Sequence, residues 1–90
     1  MEFEWDEAKN ESNVRKHNIS FERAQTAFNG RMITQVDDRE DYGEIREVGI
    51  GLMNDGAMVS IVFTERGNRI RIISARKASR IEREIYYESI

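Results

Sequence analysis

Residues 45–65 read IREVGIGLMNDGAMVSIVFTE, two runs rich in β-branched and apolar residues on either side of Asp55-Gly56. Asp-Gly is a favoured two-residue hairpin turn, because both positions tolerate the left-handed backbone that such a turn needs. With that turn, Asn54 pairs with Ala57, and Leu52, Ile50 and Val48 face Val59, Ile61 and Phe63. This side is apolar throughout and is expected against a core. The other side sets Glu47, Gly49, Gly51 and Met53 opposite Thr64, Val62, Ser60 and Met58, as a face open to water or a ligand would. A second turn at Gly67-Asn68 brings RIRIISA, residues 69–75, back alongside. Ile70 and Ile72 then join the core, while Arg69 and Arg71 project from the open face. Arg71 falls opposite Thr64, with Glu47 beyond it as a neutralising partner. A one-residue slip of this strand would bury two arginines at several kcal/mol each. Arg46 falls at the rim of the core side, opposite Glu65, as a cross-strand ion pair.

The rest of the chain arranges itself around this hairpin. EFEW alternates as a short first strand, and Asp6 suits the N-cap of a helix carrying Lys9, Asn13, Lys16 and His17 at helical spacing. Ser20 caps a second helix whose apolar face is Phe21, Ala24, Ala27 and Phe28, and Gly30 ends it. MITQVD, residues 32–37, is a strand, and DREDYGE is a charged loop. SRIEREIYYESI, residues 79–90, is a closing amphipathic helix with Ile81, Ile85 and Tyr86 turned inward. The order β-α-α-β-β-β-β-α predicts an α+β fold: an antiparallel sheet of four to five strands with helices on one face.

Ninety residues make one domain with one modest core. There is no cysteine and a single histidine, so neither a disulfide framework nor a structural zinc site is expected. No cofactor or metal is called for. No apolar run approaches the ~20 residues that span a bilayer, and the acidic start is unlike a signal region. The expectation is a cytoplasmic protein with no membrane partner. The net charge is −3, but residues 37–65 hold eight acids against two arginines, and residues 66–90 hold seven bases against three acids. Overall acidity argues against non-specific nucleic-acid binding, while a local basic patch can still serve a specific one. Eleven of the fourteen bases are arginine, the residue suited to planar phosphate contacts.

Trp5-Asp6 with Lys9, Asn13, Lys16-His17 and Phe21, followed by IRIISARKA and the later Glu-Arg and Tyr positions, resembles the BrnT family of bacterial type II toxins. The resemblance runs over nearly the whole chain. It implies a fold similar to the RelE-type ribonuclease toxins and translation arrest by metal-independent RNA cleavage. It also implies a cognate, BrnA-like antitoxin, with any DNA contact made only through that partner.

Cleavage of that kind activates the ribose 2′-hydroxyl, stabilises charge on the phosphorane and protonates the 5′-oxygen. Arg71 on the open face and Arg76 just past the strand suit the phosphate. His17 is of the one residue type that exchanges a proton near neutral pH. Lys16 and Arg46 complete the candidate catalytic set, and Arg69 and Tyr86 are candidates for substrate binding. Each has a structural counterpart. His17 sits where a helix dipole favours an imidazolium, a tyrosine on a helix face is usually core, and Trp5 and Asp6 fix a helix start. Arg80 and Arg83 read as solvated helix positions. The acidic loop 37–44 reads as a solvated connection whose charge would favour RNA presented by the ribosome over bare RNA. The alternative is a non-catalytic docking module, or a decayed toxin retained in a repressor complex.

Overall fold

The computed structural model describes residues 1–89. Strand β1 (Glu2–Glu4) leads into α1 (Glu7–His17) and α2 (Phe21–Ala24), which continues as a 3-10 helix over Gln25–Asn29. Strands β2 (Met32–Asp37), β3 (Arg46–Leu52), β4 (Met58–Arg66) and β5 (Arg69–Lys77) follow, and α3 (Arg80–Glu88) closes the chain. Ile90, at the end of the expected last helix, lies outside the described residues. The α+β class and the element order are as the sequence predicts.

Local chemistry explains the helix starts. The Asp6 carboxylate accepts from the Ala8 and Lys9 amides at 2.8 and 3.2 Å, and the Ser20 hydroxyl accepts from Arg23 N at 3.1 Å. Both satisfy donors that a helix leaves free in its first turn. Asn18 takes the left-handed conformation just past α1, with φ 57°, and its amide donates to Val14 O.

The strand order is β1-β5-β4-β3-β2. Two details depart from the expected sheet. β1 runs parallel to β5, so the sheet is mixed rather than wholly antiparallel. Helices also cover both faces. The link after α1, α2 and the 3-10 helix supply Ile19, Phe21, Ala24 and Ala27 to one core, with Val59, Ile61, Phe63, Ile70, Ile72 and Ala75 from the sheet. On the other face, α3 sets Tyr86 against Ile50, Met58 and Ala78. The first core is the larger, and its rings interlock, with Phe3–Phe28 and Phe28–Phe63 centroids 5.2 and 5.1 Å apart. Full burial of Phe21, Ile61, Ile72 and Val59 stabilises by about 1.5–3 kcal/mol each relative to exposure.

The β3–β4 register differs from the expected one by a single residue. Glu47 pairs with Phe63, Gly49 with Ile61, Gly51 with Val59 and Leu52 with Met58. The cause is the turn. Met53 N donates to Ala57 O at 2.8 Å and Gly56 N to Met53 O at 2.9 Å, so the loop has three residues, Asn54, Asp55 and Gly56. Gly56 supplies the left-handed position, with φ 88°. Asp55 accepts from Ala57 N at 3.0 Å and pairs with Arg23 at 2.7 Å, which holds this longer loop against the body.

The slip exchanges the two sides of β3. Gly49 and Gly51 face the main core opposite large residues of β4, and Met32 and Phe63 fill the space. Val48, Ile50 and Leu52 move to the other face, and Arg46 moves with them. Arg46 is therefore not opposite Glu65, and Glu47 is not beside Arg71.

Gly49 distinguishes the two registers. A Cβ at Gly49 would lie 2.5 Å from Met32 Sδ and 3.1 Å from Phe63 Cε1. Gly49→Val is expected to lower the unfolding free energy in urea by about 1–3 kcal/mol, as overpacking does. On the other register the valine would face outward, and stability would be unchanged or raised.

Candidate active site

β5 carries one residue more than β4 can pair. Val62 pairs with Ser74 but Phe63 pairs with Ile72, leaving Ile73 as a bulge. Before it, the odd-numbered Arg69 and Arg71 face away from the main core. After it, the even-numbered Ser74 and Arg76 do. The bulge therefore puts Arg71 and Arg76 on one face, which strict alternation would prevent. The register of β3 adds Arg46 to the same face.

His17 ends α1, and with Arg76, Arg39, Ser60, Ser74, Val48 and Val62 it lines a cavity of about 200 Å³. A neighbouring cavity of about 340 Å³ shares Val48, Arg39 and Arg76 and extends to Asp37, Glu82 and Ile85. Two guanidinium groups, an imidazole and two hydroxyls thus surround one small space floored by valines.

Each arginine on this face meets a carboxylate. Arg76 donates to Glu82 through Nη1 at 2.7 Å and Nη2 at 2.9 Å. Arg39 donates to Asp37 through Nε at 2.7 Å and Nη2 at 2.8 Å. Arg71 reaches Glu4 at 3.0 Å, and Arg69 lies 3.7 Å from both Glu2 and Glu4. Arg46 meets Glu44 at 3.3 Å and stacks over the Tyr42 ring, 4.0 Å from its centroid.

These contacts move the titrations. The Arg76 hydrogen bond, against the opposing effect of burial, lowers Glu82 from 4.5 to about 2. Glu82 also accepts from Ser79 N at 2.8 Å, while Ser79 Oγ accepts from Glu82 N at 3.2 Å. This reciprocal cap starts α3 and fixes the carboxylate beside Arg76. Arg39 holds the Asp37 carboxyl below its ordinary value. Arg66 and then Arg46 do the same to Glu44.

The structure brings His17, Arg76, Arg71 and Arg46 to one face. Arg69 lies further along β5, at its exposed start. Lys16 is exposed on the last turn of α1 and is not among the residues lining the His17 cavity. Tyr86 is 5 % exposed in the smaller core, and its hydroxyl donates to Arg31 O at 3.0 Å, so it is packing rather than a base platform. Ile81 and Ile85, expected to face inward, are 67 % and 46 % exposed, because Tyr86 takes the inward side of α3. Arg80 bonds Glu84 at 3.4 Å along the helix, as its spacing predicts.

Two residues of the site escape the sequence reading. Arg39 is hidden inside an acidic run and is reached only through the fold of the β2–β3 loop. Glu82 carried a legible signal, since Ser79-Arg80-Ile81-Glu82 has the spacing of a capping box.

A family model for the ribonuclease toxin BrnT of type II toxin–antitoxin systems matches residues 5–82. The chain belongs to this family. The solved structure of the Brucella abortus ribonuclease toxin BrnT is similar over 89 % of this chain and 99 % of that one, with a TM-score of 0.65 and 25 % identity. No curated protein is significantly similar in sequence. Among the described residues, no helix is long and apolar enough to cross a membrane.

The Glu82 geometry has a consequence in acid. A carboxylate whose folded value is depressed contributes its full stabilisation above 4.5 and loses it as pH falls toward about 2. Urea titrations of the wild type between pH 5 and 2 are expected to show a steeper loss of stability than those of Glu82→Gln. Parallel curves would mean that the pair is not formed in solution.

Proposed function

We propose that the chain is an endoribonuclease that cleaves RNA by attack of a ribose 2′-hydroxyl on the adjacent phosphodiester, and that it arrests translation when its antitoxin is absent. The observation that carries this reading is one small cavity shared by His17 and Arg76, an imidazole and a guanidinium on the rim of a sheet face that also bears Arg71 and Arg46.

In this reading the phosphate lies against Arg76, whose charge meets the extra negative charge of the phosphorane. His17 moves the proton between the 2′-hydroxyl or the 5′-oxygen and water. Arg71 and Arg46, further along the face, hold the backbone of flanking nucleotides. Positive charge at the phosphate comes from guanidinium groups, which supports cleavage without a metal. The partner is a BrnA-like antitoxin, through which any DNA contact is made. The carboxylate beside each arginine, together with the acidic β2–β3 loop, weakens attraction for free RNA and favours RNA presented on the ribosome.

The same carboxylates favour one second reading. A face whose arginines are already paired within the chain could serve only to dock the antitoxin, as in a toxin that has lost activity.

Purified chain incubated with bulk RNA and with translating ribosomes separates the two. Cleavage that persists in EDTA and leaves 2′,3′-cyclic phosphate ends is expected. Arg76→Ala should lower it about 10²–10³-fold and His17→Ala about 10²–10⁴-fold. Both variants should keep the wild-type circular dichroism and antitoxin binding. No cleavage of either substrate by the wild type would leave the docking reading.

A further inference from the structure

Arg39 sits in the most acidic stretch of the chain, yet it lines both cavities that Arg76 lines. Its own side chain is 72 % exposed, while the Asp37 carboxylate that holds it is 2 % exposed. The anchor is buried and the cation is presented. Asp37 belongs to the last position of β2, paired with Arg46 across the sheet, so the anchor is part of the rigid framework.

The two guanidinium groups are held by different edges. Asp37 takes the Nε–Nη2 edge of Arg39, which leaves the Nη1 side free of protein partners among the described residues. Glu82 takes the Nη1–Nη2 edge of Arg76, and Lys77 O accepts from Nη1 at 3.2 Å. The Nε side of Arg76 is left without a protein partner among the described residues. Each planar group therefore keeps donors for an incoming oxyanion, at an orientation set by its carboxylate. The two arginines line the same two cavities, and each charge opposes the other there. An anion between them would relieve that opposition. Ser60, paired with Arg76, and Ser74, paired with Val62 two positions further along, add hydroxyls to the same cavity.

We propose that Arg39 and Arg76 form a two-guanidinium site for one backbone phosphate of RNA, with Asp37 and Glu82 as positioning residues that hold each fork. The proposal rests on the ribonuclease reading for its ligand, and it makes the acidic loop a part of the site. Arg39 is then a phosphate-binding residue and not a solvated connection.

The test is titration of the isotopically labelled full chain with a dinucleoside monophosphate carrying a 2′-O-methyl group, which cannot be cleaved, and separately with inorganic phosphate. Arginine side-chain N–H signals of Arg39 and Arg76 should shift together and saturate with one affinity for the dinucleotide. Arg39→Ala would leave Asp37 buried without its partner, so Asp37→Asn/Arg39→Ala serves as the second variant. Both should bind the dinucleotide at least about tenfold more weakly, and Arg39→Lys should restore little, because a lysine lacks the fork. In the cleavage assay the same variants should raise KM more than they lower kcat. Unchanged dinucleotide affinity in either Ala variant overturns the site. Inorganic phosphate binding as tightly as the dinucleotide overturns its assignment to RNA. Binding by this site without RNA cleavage would instead overturn the ribonuclease reading and leave the site standing.

Discussion

The side chain of Asn13 holds the helix layer to the sheet at the point on which the site depends. Its Nδ2 donates to Ala75 O at 2.8 Å and to Ile19 O at 2.8 Å, and its Oδ1 accepts from Ala75 N at 3.1 Å. β1 pairs with β5 only from Arg69 to Arg71, so beyond that point β5 has no strand on this side. The asparagine amide, 5 % exposed, takes the place of the missing neighbour. Each such bond is worth only about 1 kcal/mol net, but an orphaned buried group costs about 1–3 kcal/mol. Removing Asn13 would orphan both backbone groups of Ala75. His17 stands one helical turn after Asn13, and Arg76 directly follows Ala75. The same contact that fastens α1 to β5 therefore brings the imidazole and the guanidinium to one cavity.

Two one-residue irregularities then decide which arginines share that cavity's face. The three-residue loop at Asn54–Gly56 shifts β3 and carries Arg46 across the sheet. The bulge at Ile73 reverses the alternation of β5 between Arg71 and Arg76. Because side chains alternate with a period of two, each extra residue changes every side-chain direction beyond it. The electrostatics follow from this placement. Arginines gathered on one face of an acidic chain each meet a carboxylate, and what distinguishes Arg39 and Arg76 is that the carboxylate grips two nitrogens of the guanidinium and so fixes the direction of the donors it leaves, where Arg71 and Arg46 are each held through one.

Much of this was legible in the sequence, and the gaps have physical causes. Asp6 and Ser20 announced their helices because capping is local chemistry between neighbours in the chain. β2 covers MITQVD as expected, and Arg71 falls opposite Thr64 because the Gly67-Asn68 turn has the two-residue length that its sequence suggests. The Asp55-Gly56 turn misled because the dipeptide suits two loops of different length. In the loop that forms, Asp55 meets Arg23, which is remote in sequence. The bulge at Ile73 had no local signature. Ile81 and Ile85 looked like a core face, but their helix was turned by Tyr86 and its bond to Arg31. The resemblance named Arg71 and Arg76 on β5, whereas Arg39 comes to line the same cavities as Arg76 only through the folded loop.

The most direct measurement is RNA cleavage by Asn13→Ala, with Asn13→Asp for comparison, on protein shown by circular dichroism to be folded under the assay conditions. If the amide clamp sets the His17–Arg76 geometry, the folded Ala variant should lose cleavage at least about tenfold, and amide exchange at Ala75 should rise. Asp, which lacks the Nδ2 donor, should not rescue it. A folded Asn13→Ala protein with wild-type cleavage and a protected Ala75 amide would contradict the role given to this contact.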